Sequence, residues 1–375
     1  MTRFVRWFRR KQVQIATFLQ ISDLHFGDID PATGNAVQPT LVGIHKVIDG
    51  LLGHDIHSLK RISRFWLNLD KDVDVPKALV VTGDLTTVGD FAQYVSADKY
   101  LGSQLDLGGF VPNIAPLGLS VSDWGKRGIP GNHDHYPGNF IAPTFMFGRP
   151  PKQMRQKFLA NYPDVSTLQL KTGHTLKFLL IDTDADVWPT GRNRFLARGR
   201  FHSQFGKLIT NPALGEPAEK EIRVLCLHHS PANTADTLGI GSRSRGALND
   251  FIVQQNIAVL LTGHIHSPPL IQTFPAQHLN ISRTYLEARC GSTSQQSTLA
   301  YSAKTLTGGR PQRPNQLPNS LLVHRLYLED NEVFWKSEYY FELSTGFLEQ
   351  SAFHSSPKIR NLKVAAPFKV YPLAV

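Results

Sequence analysis

The stretch IAVLLTGHIH, residues 257–266, contains the pattern that decides how this chain folds. An apolar, β-branched run ends in Gly263-His264-Ile265-His266, so a buried strand is followed directly by two imidazoles. Open α/β sheets bind their ligands just beyond the carboxyl ends of strands. We therefore predict that His264 and His266 lie at a ligand-binding edge of a sheet.

The same pattern occurs three more times, because three other apolar runs end in a polar signature. These are IATFLQIS (15–22) before Asp23-Leu24-His25, ALVVT (78–82) before Gly83-Asp84, and IRVLCL (222–227) before His228-His229. A fifth signature, Gly131-Asn132-His133-Asp134, lies between the second and third of these in the chain. Since the carboxyl ends of strands meet at one edge, the signatures are expected to form a single site.

The residue types in these signatures suit a site for two cations. Neutral imidazoles with few carboxylates leave enough positive charge on the metals to hold a phosphoryl group. Asp84 suits a carboxylate that bridges both cations, and Asn132 adds an amide oxygen without charge. Water between two such cations has its pKa lowered from about 15.7 toward 7, which produces a hydroxide nucleophile. His133, next to Asn132, is the candidate general acid that protonates the leaving oxygen.

The order D-x-H, G-D, G-N-H-[DE], H, G-H-x-H resembles the calcineurin-like metallophosphoesterase superfamily over roughly residues 13 to 300. The resemblance implies an α/β fold with four layers, in which two packed mixed β-sheets are sandwiched by helices. It also implies two divalent metal ions, for which manganese, iron, zinc, cobalt and nickel all remain open. One ion would be held by Asp23, His25 and His266, the other by Asn132, His228 and His264, with Asp84 bridging and His133 donating the proton. His229 is an alternative to His228 as the ligand.

Within that superfamily, Gly83-Asp84-Leu85 with Gly89, GNHD (131–134) and LHHSP (227–231) look like the cyclic-nucleotide and glycerophosphodiester phosphodiesterases. We therefore expect a binuclear metal-dependent phosphoesterase that cleaves phosphodiester bonds by a metal-bridging hydroxide. Phosphomonoester hydrolysis stays open. A catalytically silent interaction module of the same fold and a nuclease are the alternatives from other classes.

Several other polar residues receive separate predictions. His45, His54 and His57 are expected at the surface, and His135 is a candidate substrate contact. Asp182, Asp184 and Asp186 follow a predicted strand and are expected in a capped loop rather than a metal cluster. Four arginines are candidates for binding a second phosphate or substituent of the substrate: Arg192, Arg194, Arg243 and Arg245.

The length of 375 residues and a hydrophobic content of 41% allow one large catalytic domain. We place this domain at residues 13–345, between a basic N-terminal tail (1–12) and a C-terminal tail (346–375). Periodicity predicts strands over 14–22 and 78–82 and helices over 41–53, 56–70, 90–105 and 151–163. The segment 320–343 is predicted to form a hairpin that turns at Asp330-Asn331.

Charge and cysteine content restrict partners and compartment. Cys226 and Cys290 are too few for a disulfide framework, and neither a secretory signal nor a membrane span is recognised, which indicates a cytoplasmic protein. The formal net charge of +10 favours anionic partners, namely nucleic acid, anionic lipid or a phosphorylated small molecule, and does not choose among them. The resemblance to phosphoesterases implies a phosphorylated small-molecule or lipid substrate. Basic residues interleaved with Phe4, Trp7 and Phe8 suit either an anchor on the anionic inner membrane surface or a frayed tail. Nucleic acid is less favoured as a partner, because no nucleic-acid-binding module is recognised.

Overall fold

The computed structural model describes residues 12–36, 53–87, 89–107, 117–135, 163–187, 197–234, 238–266, 268–295, 317–353 and 357–370. In chain order the strands are β1 (Val13–Ile21), β2 (Lys77–Thr82), β3 (Gly128–Ile129), β4 (Val165–Gln169), β5 (Thr175–Leu180), β6 (Glu221–Cys226), β7 (Ile257–Thr262), β8 (Leu270–His278), β9 (Ile281–Arg289), β10 (Ser320–Glu329), β11 (Glu332–Leu343), β12 (Gly346–Glu349) and β13 (Phe368–Val370). The longer helices are α1 (Ile56–Asn68), α2 (Phe91–Gly102), α3 (His202–Ile209) and α4 (Ser242–Gln254).

These strands form two mixed sheets. The first has the order β12-β11-β10-β1-β2-β3, with β13 also paired to β11, and the second has the order β4-β5-β6-β7-β9-β8. Parallel pairs lie at the centre of each sheet, between β1 and β2 in the first and between β6 and β7 in the second. The carboxyl ends of these central strands point to the edge where the polar signatures follow.

The main core lies between the two sheets, where apolar residues of β1 and β2 pack against those of β5, β6 and β7. Phe18 of the first sheet contacts Phe178 of the second edge to face, with ring centroids 5.7 Å apart. A second core joins the first sheet to α1 and α2, and a third joins the second sheet to α3 and α4. The order of layers is therefore helix, sheet, sheet, helix, as the family resemblance implied.

Helix α1 shows why these segments fold as predicted. Ile56, Leu59, Ile62 and Trp66 recur at three- and four-residue steps and are all buried against the first sheet. The carboxylate of Asp55 caps the helix by accepting a hydrogen bond of 2.7 Å from the backbone N–H of Ser58. The prediction of a helix over 56–70 is confirmed.

The predicted hairpin is also present. Strands β10 and β11 pair antiparallel from Ser320 with Phe341 to Glu329 with Glu332. The two turn residues, Asp330 and Asn331, have φ angles of 50° and 65°, as the favoured two-residue hairpin turn requires. Beyond this hairpin, β12 and β13 both pair with β11, so residues 346–349 and 368–370 extend the first sheet.

One prediction about histidines is wrong. His54 is fully buried rather than at the surface, with its Nδ1 3.2 Å from the N–H of Gly27 and its Nε2 3.1 Å from the carbonyl of Gly34. His57 is exposed, as predicted. Sequence reasoning missed the burial of His54 because its partners, Gly27 and Gly34, lie 27 and 20 residues earlier in the chain. Some predictions fall outside the described residues. These concern His45, the basic segment 1–11, nearly all of the predicted helix at 41–53 and nearly all of the predicted helix at 151–163.

Candidate metal centre

The five signatures meet at the edge where the two sheets come together. The first sheet positions Asp23, His25, Asp84, Asn132 and His133, and the second positions His228, His264 and His266. Just below this edge, Gln20 of β1 donates a hydrogen bond of 2.8 Å to the carbonyl of Thr262 of β7. This bond joins the two sheets directly beneath the site.

Backbone conformation marks four of the predicted ligands. Asp23, His25, Asp84 and His264 have φ angles of 54°, 50°, 51° and 69°. Residues other than glycine rarely adopt this left-handed region, and when they do the strain is concentrated at functional sites. The backbone N–H of Asp23 donates to the carbonyl of Gly83, at 2.9 Å, which helps to hold this conformation.

The glycines of the signatures are needed for close packing. A Cβ on Gly83 would lie 2.4 Å from His228 Nδ1, and one on Gly131 would lie 2.2 Å from Asp84 Oδ1. A Cβ on Gly263 would lie 2.0 Å from Ser22 Oγ. Each glycine therefore lets two ligand-bearing segments approach more closely than any side chain would permit.

Two groups of ligand atoms share one carboxylate. Asp23, His25, Asp84 and His266 form the first group, and Asp84, His228 and His264 form the second, with the ligand atoms of each group within 4.8 Å of one another. In the first group, His266 Nε2 lies 3.2 Å from Asp23 Oδ1 and 3.3 Å from His25 Nε2. In the second, His228 Nε2 lies 3.2 Å from Asp84 Oδ2. Asn132 Oδ1 lies 3.2 Å from the same His228 nitrogen and adjoins the second group.

Three buried atoms show that these residues fit a cation. Asp23 Oδ1, Asp84 Oδ2 and His264 Nε2 make no well-aligned hydrogen bond within the described residues, although each of the two carboxylate oxygens lies 3.2 Å from the Nε2 of another predicted ligand. Leaving a buried polar atom without a partner costs about 1–3 kcal/mol, so three at one place indicate a further binding partner. Imidazole, carboxylate and amide groups together suit a divalent transition metal.

The electrostatics agree with this fit. Burial lowers the pKa of His264, and the neighbouring His229 and His228 lower it further, so this imidazole stays neutral. Burial likewise lowers the pKa of His25 to about 3. At His228 burial lowers the pKa, but the carboxylates of Asp84 and Asp23 outweigh it and raise the pKa to about 10. The carboxylates thus favour positive charge at the centre of the site, and a bound cation would supply that charge in place of the proton on His228.

The two histidines of the doublet point to different places. His228 Nε2 faces Asp84 and Asn132, whereas its Nδ1 lies 2.6 Å from the carbonyl of Thr82. His229 Nδ1 lies 2.7 Å from Thr183 Oγ1, and its Nε2 lies 3.1 Å from the carbonyl of Ala197. The structure therefore brings His228 among the predicted ligands and directs both ring nitrogens of His229 away from Asp84.

His133 lies in a single 3-10 turn, His133–His135, directly after Asn132. Its Nδ1 is 2.8 Å from the carbonyl of Thr87, so Nδ1–H donates to that oxygen and Nε2 is directed to the site, 4.0 Å from Asp84 Oδ2. The turn is held by Asp134, whose carboxylate accepts from the backbone N–H groups of Thr86 and Gly131 at 2.8 and 2.9 Å.

Of the secondary candidates, His135 is buried and its Nε2 lies 3.0 Å from Asp182 Oδ1. Asp182 also accepts from the backbone N–H of Asp184, and Asp186 accepts from that of Ser203 at the start of α3, which confirms the capped loop. Arg245 on α4 donates to the carbonyl of Asn233, and Arg243 is exposed. Arg192 and Arg194 lie outside the described residues.

Sequence reasoning missed a supporting segment, Gly291-Ser292-Thr293-Ser294, which follows β9. The hydroxyls of Ser292 and Ser294 donate to the carbonyls of Asp23 and Leu24, at 3.2 and 2.7 Å. The backbone N–H of Ser292 donates to the carbonyl of His266, at 3.3 Å. The segment therefore joins the first and last ligand-bearing loops. The run of small hydroxyl residues, Ser292-Thr293-Ser294, was the available signal.

A four-layer α/β fold with two groups of potential cation ligands at the meeting edge of its sheets is typical of metal-dependent hydrolases. The family model Metallophos, described as calcineurin-like phosphoesterase, matches residues 16–268. The chain belongs to the calcineurin-like phosphoesterase family.

Comparison with solved structures finds distant similarities, including those to a thiohydrolase and to an acid phosphatase. The sulfate thiohydrolase SoxB of Thermus thermophilus, in complex with glycerol, is 10% identical, with a TM-score of 0.38 over 92% of this chain and 59% of that one. The purple acid phosphatase PPD1 of yellow lupin seeds is 11% identical, with a TM-score of 0.43 over 95% of this chain and 54% of that one. The chain thus spans little more than half the length of these two proteins. No curated protein sequence matches it significantly.

Within the described residues, none of the helices has the length and apolar character needed to cross a membrane.

Proposed function

We propose that this phosphoesterase uses two divalent cations and hydrolyses phosphodiester bonds. Asp23, His25 and His266 would hold one cation and Asn132, His228 and His264 the other, with Asp84 between them. The observation that carries the proposal is that Asp84 belongs to both groups of ligand atoms. The bound cations would supply a water of lowered pKa as the nucleophile and would neutralise charge on the phosphoryl group.

His133 is proposed as the proton donor to the leaving oxygen. Thr87 fixes the ring through Nδ1, so that Nε2 points into the site beside Asp84. Burial lowers the pKa of His133, whereas Asp84 and the Thr87 carbonyl favour its protonated form. A positioned acid of this kind contributes about 10²–10⁴-fold to the rate.

The preference for diesters is the finer part of the proposal. It is supported by the Gly83-Asp84-Leu85, GNHD and LHHSP segments, which resemble cyclic-nucleotide and glycerophosphodiester phosphodiesterases. The backbones of Gly83 and Gly131 pack against His228 and Asp84, so these motif residues also shape the groups of metal ligands. Because the motif residues have this second role, the substrate preference is tested by comparing turnover of a diester with turnover of a monoester.

The test is metal content together with hydrolysis of bis(p-nitrophenyl) phosphate and p-nitrophenyl phosphate after reconstitution with manganese. We expect two metals per chain and a higher kcat/KM for the diester. Asp84→Asn should lose activity, and His57→Ala, which changes an exposed histidine of α1, should keep it. Two bound metals without turnover of either ester would favour the silent interaction module, and a preference for the monoester would overturn the diester assignment.

The proposed substrate is a phosphorylated small molecule or lipid, to be sought among cyclic nucleotides and glycerophosphodiesters. The proposed membrane contact involves residues 1–11, outside the described residues. Deleting these residues should abolish binding to liposomes that contain anionic lipids. Unchanged liposome binding by the shortened protein would exclude the anchor.

A further inference from the structure

Two charged side chains that the proposed reaction does not use are buried at the end of β9. Glu287 is fully buried and Arg289 is 8% exposed. They are two residues apart on one strand, so both point to the same face of the second sheet, as does Tyr285, which packs in the core with α3 and α4. Burying charge is costly, so these two residues need an explanation beyond packing.

Glu287 contacts both chain segments that bring histidines from the second sheet. Its Oε1 accepts a hydrogen bond from Ser230 Oγ, and Ser230 follows His228 by two residues. The same oxygen accepts from Thr262 Oγ1, at 3.2 Å, and Thr262 precedes His264 by two residues. One carboxylate oxygen therefore joins the exits of β6 and β7.

Arg289 makes a second connection between the same two segments. Its Nη1 donates to Ser230 Oγ, at 3.3 Å, and its Nη2 donates to the carbonyl of Pro268, at 3.1 Å. Pro268 follows His266 by two residues. The register of the parallel pair β7 and β9 sets Arg289 opposite Thr262, which places the guanidinium beside the start of the GHIH turn.

We propose that Glu287 and Arg289 are positioning residues that hold the His228 segment and the His264–His266 segment at the separation that cation binding requires. This inference rests on the proposed function, because it takes these histidines as ligands. The two side chains act through Ser230, Thr262 and Pro268 and not by binding the cation themselves. Loss of residues that orient metal ligands typically weakens metal binding about 10–100-fold.

A second buried glutamate provides a matched control. Glu342 on β11 is fully buried, and its carboxylate accepts from Arg61 at 2.7 Å and from Asn319 at 2.8 Å. Burial raises the pKa of both Glu287 and Glu342. The hydrogen bonds of Glu342, however, go to α1 and to the residue before β10, whereas those of Glu287 go to the segments that carry predicted ligands. A purely structural role predicts similar consequences when either glutamate is changed.

The experiment measures the Kd for manganese by calorimetry, and thermal unfolding in the presence of a chelator, for wild type, Glu287→Gln and Glu342→Gln. Both variants should lower the melting temperature of the metal-free protein. Of these two glutamate variants, only Glu287→Gln should raise the Kd for manganese, by about tenfold or more. Ser230→Ala, which removes the hydroxyl shared by both charged groups without adding volume, should also raise the Kd and guards against a folding failure of Glu287→Gln.

The outcomes separate this inference from the proposed function. If wild type binds no divalent cation, the proposed function fails and this inference fails with it. A second outcome is that wild type binds manganese and that all three variants, Glu287→Gln, Glu342→Gln and Ser230→Ala, bind it with the same Kd as wild type. In that case only the positioning role is overturned. An equal rise in Kd for Glu287→Gln and Glu342→Gln likewise overturns it, because general destabilisation would explain both.

Discussion

Asp84 Oδ2 lies 3.2 Å from His228 Nε2, although Asp84 follows a strand of the first sheet and His228 follows a strand of the second. The candidate metal centre therefore lies across the junction of the two sheets. Any change in how the sheets pack would alter this distance. The bond from Gln20 to Thr262 beneath the site and the glycines at the exits of β2 and β7 keep the two sides together.

The shared position of Asp84 predicts that its loss affects both cations. Asp84→Asn should lower metal content from the proposed two ions per chain to fewer than one and reduce activity by well over 100-fold, beyond the effect of residues that only orient ligands. His264→Ala, which removes a ligand from the second group only, should leave one ion bound. Metal analysis after dialysis measures both, and two retained ions in Asp84→Asn would exclude a shared ligand.

His133→Ala should lower kcat by about 10²–10⁴-fold for a diester with an alkyl leaving group, while metal content stays at the wild-type level. The loss should be smaller for a p-nitrophenyl ester, because that leaving group departs readily without a proton. Steady-state kinetics on a matched pair of alkyl and p-nitrophenyl diesters tests this. Equal losses on the two substrates would assign His133 a role other than proton donation.

Gly263→Ala should abolish tight metal binding, because the added Cβ would lie 2.0 Å from Ser22 Oγ and 2.8 Å from the carbonyl of Thr82. Overpacking of this kind typically costs about 1–3 kcal/mol of folding free energy as well. Gly206→Ala in α3 is the control, because nothing lies within 4 Å of its Cβ position. That variant should bind metal normally and gain about 0.5–1 kcal/mol. Calorimetry and thermal unfolding distinguish the two, and normal metal binding by Gly263→Ala would contradict the close packing.

His54 predicts a pH effect on stability. Burial lowers its pKa from 6.5 to about 4, so the folded protein holds the neutral ring, while the unfolded chain takes up a proton below pH 6.5. The stabilising contribution is complete above pH 6.5 and is lost as the pH falls to about 4, and it amounts to roughly 3 kcal/mol. The free energy of unfolding of wild type should therefore fall more steeply over this interval than that of His54→Gln. Parallel curves from urea unfolding would show that His54 is not the group responsible.

Much of the fold followed from local patterns. The apolar runs before Asp23, Asp84, His228 and His264 are strands, and the helix over 56–68 has its predicted apolar face buried. The hairpin turn at Asp330-Asn331 also followed from residue type. These predictions succeeded because hydrophobic periodicity and turn chemistry depend on neighbouring residues. The same reasoning gave the wrong prediction for His54, because its burial depends on contacts with Gly27 and Gly34.

The sequence by itself determined which residues could hold cations, because glycine-flanked histidines and acids after buried strands are recognisable within a few positions. Only the tertiary structure decided which atoms meet. His228 and His229 are adjacent and chemically identical, yet the path of the chain after β6 sends one ring to Asp84 and the other to Thr183. Glu287 and Arg289 gave no signal in sequence, because their partners come from two other segments of the chain. Contacts between distant segments depend on the order of strands within each sheet and on how the two sheets pack, and both depend on the whole core.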